Sequence, residues 1–378
     1  MVMDQPLRRR QRLLRRRKEL ELDALFITNP LNVGYLTGFS GDSSYLILSA
    51  KHSILVSDTR FSIQIADECP GLETNIRSHD KTTLQAAIET LTQLHVSTVG
   101  VESRHLTLEL FEKLREALSS VVWVRTLNLV EELRAIKDAG EIAAIRKSVK
   151  IAEQAFVMLR AMLQPTDTEK ELVNALETYL RRAGGSGSAF PTIVAIGERS
   201  ALPHAPPGDK RVEEADFLLV DWGACGPVYQ SDLTRVIPSP RPEESSRKRM
   251  RSKVESKLQK IYTVVLQAQE RAIAAIHPGV AVKEVDFAAR GFIADAGYGK
   301  NFSHGLGHGI GLQTHELPDI RATSDHMLQP GMIVTVEPGI YIEGFGGVRI
   351  EDDVLVTPDG HEVLSRLPKT WDAIWHST

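Results

Sequence analysis

The chain has 378 residues, a length that suits two domains better than one. Apolar residues make up 42% and charged residues 25%, the mix of a globular protein, so disorder along the whole chain is excluded. Lys and Arg number 45 against 49 Asp and Glu, a net charge of −4 that argues against a globally basic nucleic-acid binder.

The first residues, MVMDQPLRRRQRLLRRRK, carry no apolar stretch behind the arginines, so they read as a helix start and not as a secretory signal. No run approaches the about 18 apolar residues of a membrane span. Cys69 and Cys225 are too few and too far apart for a disulfide framework or a thiolate zinc site, and the expectation is a reducing, cytoplasmic setting. Apolar β-rich runs follow at Ala24–Thr28, Tyr45–Leu48, Ile54–Val56, Thr98–Val101 and Val121–Val124. Helical patterns lie among them at Phe61–Glu68, Thr82–Gln93 and Thr107–Ala117. That alternation predicts a small α/β domain over 1–125, then a linker over 126–137.

A second domain is expected over 138–378. Ile142, Ile145, Val149, Ala152, Phe156 and Leu159 mark one face of a helix, and Asp138 with Glu141 makes a capping-box start. Pro165 closes it; Thr168 and Glu171 open another helix, which stops at Gly184-Gly185. Strand-like segments run on to Ile237. The order then repeats, with helices over Lys257–Ile276 and Val282–Ala296 and strands to Val356. In each half a His precedes a Pro-containing turn (His204, His315) and an apolar strand ends in an acid (Asp221, Glu337). Two similar halves are predicted, each of two helices plus an antiparallel sheet. Residues 241–260 hold eight Lys/Arg and three Glu, the pattern of a solvated loop and helix start or of a contact for an acidic partner.

The chemistry gathers at the strand ends. DFLLVDWGA ends a strand at Asp221, and VYQSDLTRVI carries Asp232 into the next. A hairpin symmetric about 226–227 pairs these two acids directly, with Cβ atoms about 4.5–5.5 Å apart. MIVTVEPG and GVRIEDDVLV repeat the theme with Glu337 and Glu351. Between them, SHGLGHGIGLQTHELP carries His304, His308 and His315 among glycines that disfavour a helix. Carboxylates so placed repel unless something positive lies among them. Four carboxylates balance two divalent cations, and an oxygen-rich set with an imidazole suits Mn, Co, Fe or Zn. Paired ions of this kind are a hydrolytic arrangement.

The motifs FPTIVAIGERSALPHAPP, LLVDWGA, YQSDLTR, HGLGHGIGLQTHELP, VTVEPGIY and GGVRIEDDVLV together resemble the pita-bread-fold metallopeptidases, in the aminopeptidase P and prolidase branch. YLTGFSGDSSYLIL and ILVSDTRFSIQ resemble the creatinase-like N-terminal α/β domain of that family. The resemblance implies an α+β pita-bread catalytic domain of two similar halves. It implies two divalent ions, manganese foremost, on Asp221, Asp232, His308, Glu337 and Glu351, with Asp232 and Glu351 bridging. It implies Glu337 as general base, and His204, His304 and His315 along the substrate site. Arg349 would orient the site or a substrate carboxylate, and Tyr341 is a weaker candidate.

The implied reaction is hydrolysis of the Xaa-Pro bond at peptide N-termini, whose amide nitrogen carries no N–H. The peptide substrate has Pro at its second position. The expected assembly is a homodimer without membrane or nucleic-acid partners. Prolidase, acting on Xaa-Pro dipeptides, is the alternative within the family. Beyond it stand a non-catalytic relative that binds nucleic acid or a partner through its basic runs, and a creatinase-like amidinohydrolase, which would leave the four acids without a role.

Overall fold

The computed structural model describes residues 5–240 and 248–375, side chains within 248–252 excepted. It divides into two compact units, Met1–Arg134 and Ala135–Thr378.

The first unit runs α1 (Gln5–Glu19), β1 (Ala24–Ile27), α2 (Pro30–Thr37), β2 (Tyr45–Ser49), β3 (Ser53–Asp58), α3 (Ser62–Glu68), β4 (Glu73–Arg77), α4 (Thr83–Gln93), β5 (Thr98–Glu102), α5 (Leu108–Ala117) and β6 (Val122–Thr126). The six strands form one mixed sheet in the order β4-β3-β2-β1-β5-β6. Every residue of β1 is buried, as a central strand requires. Thr82 and Gln85 close a capping box on α4, and Thr107 caps α5. Phe26, Ile47, Val56, Leu91, Val99 and Leu114 pack together as a core between sheet and helices. Two elements have no counterpart in the sequence reading. The α2 helix is short and contains Gly34, and its signals are local: Asn29 at the N-cap and Pro30 at the first position. The β4 strand, ETNIR, has no buried residue and hence no apolar run to betray it.

The second unit begins within α6 (Glu131–Ala135), a helix inside the stretch read as linker. It continues with α7 (Ala139–Met162), α8 (Glu169–Arg182), β7 (Gly187–Ser188), β8 (Ile193–Ile196), β9 (Phe217–Trp222), β10 (Ala224–Cys225), β11 (Leu233–Pro238), α9 (Lys248–Ala274), α10 (Val282–Asp295), β12 (Gly307–Gly309), β13 (Glu316–Ile320), β14 (Ile333–Val336), β15 (Gly339–Ile342), β16 (Gly346–Arg349), β17 (Asp352–Thr357), β18 (Gly360–Val363) and α11 (Trp371–Trp375). The predicted halves are present. Helices α7 and α8 precede the sheet β11-β9-β8, and α9 and α10 precede the sheet β13-β12-β14-β17-β18. Of the basic segment read at 241–260, residues 241–247 lie outside the described residues and the remainder belongs to α9.

The capping box expected on α7 is formed, and Thr168 and Glu171, read as opening α8, form one there too. On α7, Ile145, Val149, Ala152, Phe156 and Leu159 are buried, and Ile142 is half-buried at the edge of that face. The Phe156 ring stacks on Trp222 with centroids 4.3 Å apart, and the Trp222 indole N–H donates to the Ala152 carbonyl at 2.9 Å. These contacts seat β9, and so Asp221, on α7. Among the described residues no helix is long and apolar enough to cross a membrane.

Candidate metal centre

The first acid hairpin departs from the expected register. Trp222 faces Leu233 and Asp221 faces Thr234, so Asp221 and Asp232 are not direct partners. The turn residues are Pro227 and Val228, because Gly226 donates its N–H to the Tyr229 carbonyl and Cys225 bridges Gln230. Proline sets the turn by supplying the fixed φ of its first inner position. The slip is two residues, and strand alternation has period two, so Asp232 still lies on the face of Asp221, as a diagonal neighbour. In the second hairpin Val336 faces Asp352 and Gly339 faces Arg349. Glu337 and Glu351 occupy the intervening, mutually facing positions. A bridge between Thr234 and Glu351 joins the two halves there.

His308 stands in β12, between β13 and β14. Its flanking glycines serve strand packing: a Cβ on Gly307 would strike the Thr335 carbonyl, and one on Gly309 the Leu317 carbonyl. The His308 N–H donates to Thr335 Oγ1 at 3.1 Å, and Thr335 Oγ1 donates to Glu337 Oε1 at 3.3 Å. Ligand atoms of Asp232, His308 and Glu351 all lie within 4.8 Å of one another. His308 Nε2 stands 3.3 Å from Glu337 Oε1 and 3.8 Å from Asp232 Oδ2. Asp221 joins through Arg349, whose Nη2 donates to Asp221 Oδ2 at 2.5 Å. Arg349 also donates to Tyr341 Oη at 2.8 Å and Thr234 Oγ1 at 3.2 Å, and Thr234 Oγ1 donates to Glu351 Oε2 at 2.6 Å.

Burial pushes Asp232 and Glu351 far above the ordinary carboxylate range, and the neighbouring acids add to it. Burial raises Asp221 as well, against the pull of Arg349. For Glu337 burial acts upward, but the His308 hydrogen bond and charge outweigh it and the carboxyl is held low. For His308 burial acts downward and the bond to Glu337 outweighs it, so the imidazole is raised. Burial lowers His304 and His315.

These residues fit a cation. His308 Nδ1 lies 3.1 Å from the Gly309 carbonyl, which can only accept, so Nδ1 carries a proton and Nε2 is left facing carboxylates. That nitrogen needs a second proton or a metal. A proton would compensate one acid and leave the rest buried and repelling. Imidazoles that ligate metals hold their other N–H to a backbone carbonyl in this way. Asp221 Oδ1 is buried without a hydrogen-bond partner, a lone pair that a cation would satisfy. The donors are carboxylate oxygen and imidazole nitrogen, the set of a hard or borderline divalent ion.

The three other histidines and Arg349 border the same cavity of about 670 Å³, together with Phe190, Pro203 and Arg321. His304 Nδ1 donates to the Gly305 carbonyl at 2.8 Å, so its Nε2 accepts from the Tyr341 hydroxyl at 2.9 Å. The His315 ring lies 4.2 Å from that of His308. Thr234, Thr335 and Asp353 escaped the sequence reading. Each stands two residues from an expected acid, on the same strand face, and that spacing was the available signal. Asp353 is fully buried, accepts the Asp232 N–H at 3.1 Å and leaves its Oδ1 unpartnered. Burial pushes it up to about 8.

The model of metallopeptidase family M24 matches residues 143–358, and that of the creatinase/prolidase N-terminal domain matches 9–136. An uncharacterised peptidase of Bacillus subtilis (strain 168), YqhT, is 36% identical over 93% of this chain and 96% of its own length. The solved Xaa-Pro dipeptidase from Bacillus anthracis is 36% identical, with a TM-score of 0.89 over 97% of this chain and 99% of that one. The X-Pro aminopeptidase from Thermotoga maritima MSB8 is 35% identical, with a TM-score of 0.83 over 94% and 99%.

Proposed function

The chain belongs to metallopeptidase family M24, and on that premise we infer that it is a two-metal exopeptidase cleaving the Xaa-Pro bond at peptide N-termini. The observation that carries this reading is the orientation of His308, whose Nδ1 is held by the Gly309 carbonyl while Nε2 points into a group of acids. Asp221, Asp232, His308, Glu337 and Glu351 would hold the ions, manganese foremost, with cobalt, zinc or iron as substitutes. Bound divalent ions supply carbonyl polarisation and a more acidic water. Glu337, kept ionised beside His308, takes the proton of the attacking water. Arg349 keeps Asp221 oriented while Thr234 keeps Glu351 oriented. His304 is engaged by Tyr341, which leaves His204 and His315 to hydrogen-bond the scissile carbonyl as charge grows on its oxygen.

Aminopeptidase P action on longer peptides is the preferred form. Prolidase action is the second, favoured by the name of the Bacillus anthracis relative. The same reading makes the protein a cytosolic homodimer, in keeping with a chain that has two cysteines and no disulfide between them. The test is a paired assay on protein reconstituted with Mn, Co or Zn. Cleavage of an Xaa-Pro-Xaa tripeptide supports the aminopeptidase, and cleavage of the Xaa-Pro dipeptide alone supports the prolidase. Cleavage of neither with any of the three metals overturns the peptidase reading.

A further inference from the structure

One wall of the cavity is a loop. Pro203, His204, Ala205, Pro206 and Pro207 all border the cavity, and they follow β8 through a short 3-10 turn, Gly197–Ala201. Such a segment has no sheet pairing of its own to hold it. A buried carboxylate far back in the chain does so. Glu169, the first residue of α8, is fully buried. Its Oε1 accepts the N–H of Ile196 at 2.8 Å, where the loop begins. Its Oε2 accepts the N–H of Gly208 at 2.6 Å, where the loop ends. Arg199, inside the loop, donates from Nε to both oxygens at 2.9 Å and from Nη2 to the Pro206 carbonyl at 2.5 Å. A Cβ at Gly208 would stand 3.1 Å from Glu169 Oε2 and 3.4 Å from Arg199 Cζ, closer than a side chain there sits comfortably.

We propose that Glu169 and Arg199 form a clasp that positions His204 and the proline-rich wall over the metal centre, and so act as positioning residues for substrate. The pair touches neither the acids nor the cavity. One carboxylate draws both ends of the loop to a single point, and the guanidinium ties Arg199, near the start, to the Pro206 carbonyl, near the end. This rests on the reading of the cavity as the peptide site.

The chemistry of the pair dictates the test. In Glu169→Gln one side-chain atom still accepts, but the other becomes an NH₂ facing a backbone N–H, so one end of the loop is released. The Arg199→Lys ammonium cannot serve Glu169 and the Pro206 carbonyl as a planar fork does. Glu169→Gln should lower kcat/KM for an Xaa-Pro-Xaa tripeptide by about ten- to a hundred-fold, the scale of a misplaced positioning group. Arg199→Lys should lower it less. Calorimetric manganese affinity should stay within about two-fold of wild type, because the loop carries no metal ligand. Amide exchange should quicken over 196–208 and stay slow in β9, β14 and β17. Unchanged exchange over 196–208, or quickened exchange with wild-type kcat/KM, overturns the clasp in either variant. If the wild type cleaves no Xaa-Pro peptide, the functional reading fails, and exchange alone still decides whether the clasp holds the loop.

Discussion

Asp232 is 5% exposed, neighbouring acids add to the burial that raises its carboxyl, and its own N–H is spent on a fifth acid, Asp353. On the proposed reading, a side chain so placed would destabilise the metal-free protein and bind a cation in compensation. Asp232→Asn keeps the shape and removes the charge. Metal affinity should fall by more than about a hundred-fold, with activity lost alongside, since even residues behind the ligands cost about ten- to a hundred-fold. The metal-free variant should melt no lower than the metal-free wild type, because a repelling charge has gone. Calorimetric titration and thermal melts read the two effects, and unchanged metal content would contradict the assignment. The candidate acids and histidines could be picked out from their motifs. Thr234 and Thr335 were not, because a threonine in a β-strand is ordinary and only the contact with Glu351 or Glu337 marks it.

The elements that aim these residues are held from behind. The Phe156–Trp222 stack and the Trp222 bond to Ala152 fix β9 against α7. Phe156→Ala would leave a cavity under β9 and cost about 3–5 kcal/mol of stability. The measurement is a denaturant melt, and residual activity at low temperature should persist while the fold does. The periodicity of α7 and its capping box were readable because both are local. The β9–β11 register was not. Its turn was read at 226–227, one position early, and the pairing follows the turn that Pro227 and Val228 form. The edge strand β4 escaped for a related reason: with no buried residue it leaves no hydrophobic trace.

A cation held by these acids would link metal binding to the folding of Ala135–Thr378. Asp353 has an ordinary value near about 3.9 when unfolded and is pushed up to about 8 when folded. A carboxyl raised by folding contributes stability that is complete below the unfolded value and is lost as pH rises through the folded one. Asp232 and Glu351 shift in the same direction. With a chelator present, the melting temperature of this unit should therefore decline from about pH 4 to about pH 8. Added manganese should restore more at pH 8 than at pH 5, adding about 2.7 kcal/mol at a hundred-fold excess over Kd. Hydrogen exchange should show the metal effect in residues 135–378 and none in 1–134. A flat chelated profile would contradict the raised carboxyls.

Read as a string, the chain already specifies its long helices, most of its strands, the two-unit plan and a short set of candidate acids and histidines. Those properties depend on neighbours within a turn or two, where side-chain chemistry and backbone period act directly. The pairing partner of Asp221, the facing of Glu337 and Glu351, the tautomer of His308 and the grip of Glu169 on both ends of a distant loop come only with the folded chain. The tautomer turns on how packing sets the ring against the next residue's carbonyl; the others depend on groups well separated in sequence whose meeting is set by packing and turn closure, and a side chain's face can be known without knowing what will stand opposite it.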